Sequence, residues 1–181
     1  MPALRKAAAY SKKRARPYTR MSRKRSKAYI KVKPNNKIVK YDSGNRKSFD
    51  EGKHTHIVKL ISKEKKNIQI RDNALEATRT LVNKKLEKAA PGQFFLKIKV
   101  HPHHILRENK TAAGAGADRL SSGMKHSFGI IIGRAAIVRP EQEILFISCA
   151  NERIARMAKN TLAMIKPKMP GKVKISFEKL E

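Results

Sequence analysis

Phe94-Phe95-Leu96-Lys97-Ile98-Lys99-Val100 sets the fold class, because Phe94, Leu96, Ile98 and Val100 alternate with the lysines Lys97 and Lys99. A period of two with cations on one side is the signature of a strand buried on one face only. Farther along, Ile154, Met157, Ala158, Thr161, Leu162 and Ile165 fall at i, i+3, i+4, i+7, i+8 and i+11 behind a capping Asn151. That stripe is an amphipathic helix, with both methionines, Met157 and Met164, read as core or core-edge filling. Pro167 through Gly171 ends it, and Val173, Ile175 and Phe177 alternate in a last strand.

Working back from Phe94, Pro91-Gly92 closes an earlier helix. Its start reads as a capping box, Asn73 with Glu76, and its buried face as Leu75, Thr78, Val82, Leu86 and Ala89. Short strands are expected at Ile38-Val39-Tyr41, His56–Ile61 and Ile68–Ile70, with a turn at Asp42-Ser43-Gly44-Asn45. Two more, Arg134–Arg139 and Ile144–Cys149, flank a tight turn at Pro140–Glu143. The pattern predicts an α+β fold, a two-helix sandwich with hairpins between the helices and both helices on one sheet face. The stripe Ile154, Leu162 and Ile165 is expected to pack on the sheet that includes Ile98 and Phe146.

Charge is laid unevenly on this frame. The 181 residues carry 43 Lys and Arg against 14 Asp and Glu, a net +29, while 40% hydrophobic residues suffice for a core. The fifteen Lys and Arg before Asp42 meet no acid at all. Residues 1–33 have no amphipathic period and cannot repay their own ordering entropy, so they are expected to be a basic arm that folds on a polyanion, with 34–181 as one domain. Tyr10, Tyr18 and Tyr29 within the arm add stacking surfaces. Its Arg-rich, acid-poor composition is also that of a transit peptide. The single Cys149 excludes a disulfide framework or a cysteine zinc site, and no apolar run has the roughly 20 residues of a membrane span.

Residues 101–133 break the rhythm and are read as a long loop inserted between strands. Its small-residue centre, Ala112–Ala117 with Gly114 and Gly116, permits close backbone approach to a partner. Arg107, Lys110, Arg119 and Lys125 flank that centre and suit phosphates, and Asn109 suits a base edge. His101, His103 and His104 resemble a metal motif, but Ile105 stands where an Asp is needed, so no metal is expected; packing or hydrogen bonds to RNA account better for them. Gly114-Ala115-Gly116 is no dinucleotide loop, since Arg119 replaces the third glycine. Ser121, Ser122 and His126 have no acid placed to complete a triad. No catalytic residue and no cofactor are expected. A DNA-binding chromatin protein and a nucleic-acid-modifying enzyme are the competing classes, disfavoured by the absence of a basic recognition helix and of paired acids respectively.

Val100-His101-Pro102-His103-His104-Ile105-Leu106-Arg107-Glu108-Asn109-Lys110 and Gly114-Ala115-Gly116-Ala117-Asp118-Arg119-Leu120-Ser121-Ser122-Gly123-Met124 closely resemble the archaeal and eukaryotic ten-e branch of the universal large-subunit ribosomal protein sixteen family. Asn73-Ala74-Leu75-Glu76-Ala77-Thr78-Arg79, Arg16-Pro17-Tyr18-Thr19-Arg20 and Tyr41-Asp42-Ser43-Gly44-Asn45 resemble its first helix, arm and early turn, so the likeness runs from about residue 16 to 177. His103-His104 with Arg107-Glu108-Asn109 resembles archaeal members. Departures lie at Ile130-Ile131, where a Lys and a Pro are usual, at Pro34-Asn35-Asn36, and in the extra-basic stretch to Lys33.

The resemblance implies a hammerhead-type α+β fold and a cytoplasmic, ribosome-bound protein of the large subunit. It implies large-subunit ribosomal RNA as partner, other large-subunit proteins as neighbours and no membrane. The loop 101–129 is implied to point toward the peptidyl transferase centre and the transfer RNA of the A/P region. The RNA-binding residues expected are Lys12, Lys13, Arg14, Arg16, Tyr18, Arg20, Arg23, Lys24 and Arg25 in the arm. In and beside the loop they are His103, His104, Arg107, Asn109, Lys110, Gly114, Gly116, Arg119, Lys125 and Arg134.

Overall fold

Strand alternation and helix stripes assemble here into two antiparallel sheets backed by helices. The computed structural model describes residues 34–108 and 130–180. In chain order the elements are β1 (Asp42–Gly44), α1 (Arg46–Asp50), β2 (His56–Ser62), β3 (Ile68–Arg71), α2 (Asp72–Ala89) and β4 (Phe94–Ile98). Then come β5 (His104–Glu108), β6 (Ile130–Val138), β7 (Glu143–Cys149), α3 (Glu152–Ile165), a 3-10 turn at Lys166–Lys168, and β8 (Val173–Lys179). The larger sheet has the order β1-β4-β7-β2-β8 and the smaller β3-β6-β5. Every pairing among them is antiparallel, so the α+β class expected from the sequence holds.

Register explains which side chains meet. Phe94, Leu96 and Ile98 of β4 lie opposite Cys149, Ile147 and Leu145 of β7, which lie opposite His56, Val58 and Leu60 of β2. This face carries α2 and α3. Leu75, Val82 and Leu86 from one helix and Ile154, Ala158, Leu162 and Ile165 from the other join the strands in a single core. Ile68, Ile70, Ala136 and Val138 of the smaller sheet extend the same core, tying the two sheets together.

The structure departs from expectation in instructive places. The α3 stripe packs, as expected, on the sheet that carries Ile98 and Phe146, but Phe146 and Phe95 point to the other side of that sheet. There the short helix α1, which hydrophobic periodicity does not reveal, lays Phe49 against them at 5.1 Å from Phe95 and 5.8 Å from Phe146. Among the described residues the α-helices therefore number three. Ile38-Val39-Tyr41 forms no strand; Ile38 is buried but Val39 is exposed, and pairing begins at Asp42, inside the expected turn.

The Asn73–Glu76 capping box is absent. α2 starts two residues earlier, with Arg71 at the N-cap and no side-chain cap, and Glu76 instead accepts from the backbone N–H of Val39 and pairs with Arg79. Asn151 occupies the N-cap of α3, but only its carbonyl is used, accepting from Ala155 N–H at 3.1 Å. Met157 and Met164 are exposed rather than core-filling, and Ala89 is exposed as well.

The expected hairpins are not hairpins. β2 and β3 belong to different sheets, as do β6 and β7. The turn after β6, with Glu141 in the left-handed region at φ 56°, carries the chain from one sheet to the other. Finally, β5 and the first residues of β6 lie within the stretch read as loop, pairing His104 with Ala135, Ile105 with Arg134 and Arg107 with Ile131.

Candidate nucleic-acid interface

The β5–β6 pair carries residues 109–129 at its end, so its base fixes where that segment leaves the body. The segment ahead of β1 and the turn after β4 supply the anchor. Tyr41 stacks on His101, ring centroids 5.5 Å apart and 13° from parallel. Asn36 donates from Nδ2 to the Tyr41 hydroxyl at 2.9 Å, and Ile98 N–H donates to the Tyr41 carbonyl at 2.9 Å. Arg134 of β6 donates from Nε to the Pro34 carbonyl at 2.7 Å, tying the segment at 34–41 to the strand pair. His103 donates from both its backbone N–H and its Nδ1 to the His101 carbonyl, each at 2.9 Å, which turns the chain sharply before β5.

Electrostatics sort these histidines. Desolvation holds the His101 imidazole below its ordinary pKa, and the Arg134 and His103 charges push the same way. His101 is therefore neutral at physiological pH and acts by stacking and hydrogen bonding, not as a cation for phosphate. His104 is buried within the strand pair, which makes it a packing residue with Leu106 beside it. His103 is exposed and free to meet a partner on its other edge.

Of the expected RNA-binding residues, Arg107 and Arg134 are half-buried on neighbouring strands at the loop base, with His103 near and His104 inside. Lys12, Lys13, Arg14, Arg16, Tyr18, Arg20, Arg23, Lys24 and Arg25 lie outside the described residues, as do Asn109, Lys110, Gly114, Gly116, Arg119 and Lys125. Tyr41, Asn36 and Pro34 brace the base, and sequence alone does not single them out as interface residues. Tyr41 opens the Tyr41–Asn45 motif, but nothing in its spacing announces a stack on a histidine sixty positions later.

The rest of the body offers no competing chemistry among its described residues. No group of three His, Cys, Asp or Glu is placed to hold a metal, and no helix is long and apolar enough to cross a membrane. Burial pushes the Cys149 thiol up to about 12, so it is no thiolate nucleophile at neutral pH.

Comparison with known proteins converges on the same place. A family model described as Ribosomal protein L16p/L10e matches residues 14–176. The chain is 41% identical over 176 residues to the large ribosomal subunit protein uL16 of Archaeoglobus fulgidus, covering 97% of this chain and 94% of that one. It is 42% identical over 178 residues to the protein of the same name from Methanococcus aeolicus, covering 98% and 95%. For the Staphylothermus marinus protein of that name the identity is 40% over 179 residues, with 98% and 95% covered. Because these matches run through the braced β5–β6 base and the helices α1, α2 and α3, and leave only the chain ends uncovered, this chain belongs to the ribosomal protein L16p/L10e family.

Proposed function

We propose that this chain, a structural constituent of the large ribosomal subunit and not an enzyme, binds large-subunit ribosomal RNA with two basic segments. One is the arm 1–33 ahead of the folded body. The other is the loop 101–129, directed toward the peptidyl transferase centre and the transfer RNA of the A/P region. It does so ribosome-bound in the cytoplasm, among other large-subunit proteins.

The observation that carries this reading is the braced loop base. Arg134 and the Tyr41–His101 stack anchor a strand pair whose end launches a segment with cations on both sides of a Gly/Ala centre. Lys and Arg neutralise phosphates and release condensed counterions, while a centre without bulk lets backbone lie close to sugar or base. The net +29 supplies the attraction, and the rigid base supplies the direction.

The test measures binding of the full chain, and of a chain lacking residues 1–33, to large-subunit ribosomal RNA across a salt series. Deletion is expected to weaken binding and flatten the salt slope by about 0.7–0.9 for each phosphate that the arm no longer neutralises. An unchanged slope would show the arm to be merely solvated.

A further inference from the structure

The motifs Tyr41–Asn45 and Asn73–Arg79, both outside the loop, converge on one feature. Arg79, Asn83 and Glu87 recur every four residues along α2, so they line one side of the helix over about 12 Å. That side forms one wall of a cleft of about 640 Å³ whose other wall includes Lys40, Asp42 and Ser43. A cleft of these dimensions accepts a nucleotide-sized ligand.

Its polar groups are ordered at one end and unclaimed at the other. Arg79 donates from Nε and Nη2 to the Glu76 carboxylate at 2.9 and 2.5 Å, and from Nη1 to Ser43 Oγ at 3.3 Å. By contrast, Asn83 is half-buried with no partner for its amide among the described residues, and the Glu87 carboxylate has no ion pair among them. The Ser43 wall is fixed on β4, where Gly44, at φ +91°, lies so tight that a β-carbon there would meet the Phe94 carbonyl oxygen at 2.3 Å, and the Arg79–Ser43 hydrogen bond ties it to α2.

The carboxylates are the discriminating feature. A pocket for phosphate alone gains nothing from acids, yet this cleft holds Asp42 and Glu87 in a chain where basic residues outnumber acidic ones three to one. Asp42 has Arg46 at 3.6 Å, but Glu87 needs donors from elsewhere. Among the four bases, guanine alone presents two adjacent N–H donors, N1 and N2, beside an acceptor, O6. A carboxylate matches the two donors and an amide N–H matches the acceptor.

We propose that this cleft holds an unstacked guanosine of the ribosomal RNA, with Glu87 accepting from N1–H and N2–H, Asn83 donating to O6, and Lys40 pairing its phosphate. The proposal rests on the RNA-binding reading above and adds to it a base-specific contact away from arm and loop.

The test is modification of the guanine N1/N2 edge in large subunits containing the full chain, its Glu87→Gln variant or its Asn83→Ala variant. Both side chains lie outside the core, so both variants are expected to fold with the thermal midpoint of the parent. One guanosine protected by the parent should become about tenfold more reactive in each variant, as expected when a paired base edge is freed. An identical modification pattern in parent and variants overturns the cleft site while leaving RNA binding by arm and loop untouched. If a variant fails to enter the subunit, amide shifts in the free full chain on adding each of the four nucleoside monophosphates decide. Shifts at residues 79–87 with guanosine monophosphate alone support the site. No shift, or equal shifts with all four, overturns it, as does a photo-crosslinker at position 83 that captures protein and not RNA.

Discussion

His54 Nδ1 lies 2.7 Å from Ser148 Oγ in the buried back of the larger sheet, while His54 Nε2 is enclosed without a partner among the described residues. Ser148 Oγ in turn lies 3.4 Å from the Phe95 carbonyl, to which it donates, so the imidazole donates from Nδ1 and leaves Nε2 bare. A proton on Nε2 would need an acceptor the site does not contain, and burial holds the His54 pKa below its ordinary 6.5. The unfolded chain therefore binds more protons than the folded one just below that pH. Stability is full above about pH 6.5 and falls as the pH drops below it. Urea midpoints at pH 7.5 and 5.5 should show this fall in the parent chain and a smaller fall in His54→Gln. His101 is shifted the same way and adds to the effect, so His101→Gln serves as the companion measurement. An equal fall in parent and His54→Gln would remove His54 as its source.

The larger sheet packs on both faces, and this can be read in mutant cycles. Leu162 is fully buried on the helix-covered face, so Leu162→Ala should cost about 2–5 kcal/mol in chemical denaturation. Phe146→Ala should cost about 3–5 kcal/mol, but through Phe49 and Phe95 on the opposite face. The losses should add for Leu162 with Phe146 and fail to add for Phe49 with Phe146. The reverse outcome would place Phe146 beneath α3.

Gly44 and Gly52 both adopt positive φ, at +91° and +73°, yet only Gly44 is crowded. Gly52→Ala should cost about 1 kcal/mol, the strain of a left-handed alanine. Gly44→Ala must also push back the Phe94 carbonyl and should cost about 3 kcal/mol. Equal costs for the two would show that β1 yields easily.

Arg107→Ala should leave the thermal midpoint of the free protein within a few degrees, because Arg107 is not a side chain of the main core, and shortening Ala112–Ala117, which belongs to neither apolar stripe of the sequence, should do the same. Large subunits carrying either variant should instead mature poorly, or bind aminoacyl-transfer RNA and form peptide bonds more slowly. Normal assembly together with normal values of both would reduce the loop to a passive clamp.

Much of this architecture was legible because single-face burial writes a period into sequence. Phe94-Leu96-Ile98 and the Ile154–Ile165 stripe declared a strand and a helix, and both elements are there, although Phe95 is covered on the strand's second face and Met157 of the stripe is exposed. What alternation cannot declare is a partner. Nothing in Ile144–Cys149 says that it pairs with β2 and β4 instead of with its neighbour β6. Nor does it say that Phe146 has an aromatic cover on the other face, since that cover comes from one phenylalanine in a five-residue helix. β5 stayed hidden for a related reason: His104-Ile105-Leu106 is buried on both faces and shows no alternation. The Arg79-Asn83-Glu87 row was visible as helical spacing, but it became a wall only once β1 stood opposite.

The strand order has a temporal meaning. β2 is drawn from the first half of the chain, yet both of its neighbours, β7 and β8, come from the last forty residues. During synthesis β2, made after the basic arm, must therefore wait with both edges bare while α2, β4 and the loop emerge ahead of its partners. Local helices form early, whereas this sheet closes only after Val173–Lys179 has been synthesised. A newly made copy thus spends most of its synthesis as a polycation with an unpaired hydrophobic strand, a state attractive to stray RNA and to other strands alike. Escorting that nascent chain, more than stabilising the finished fold, is the task its topology sets for the cell.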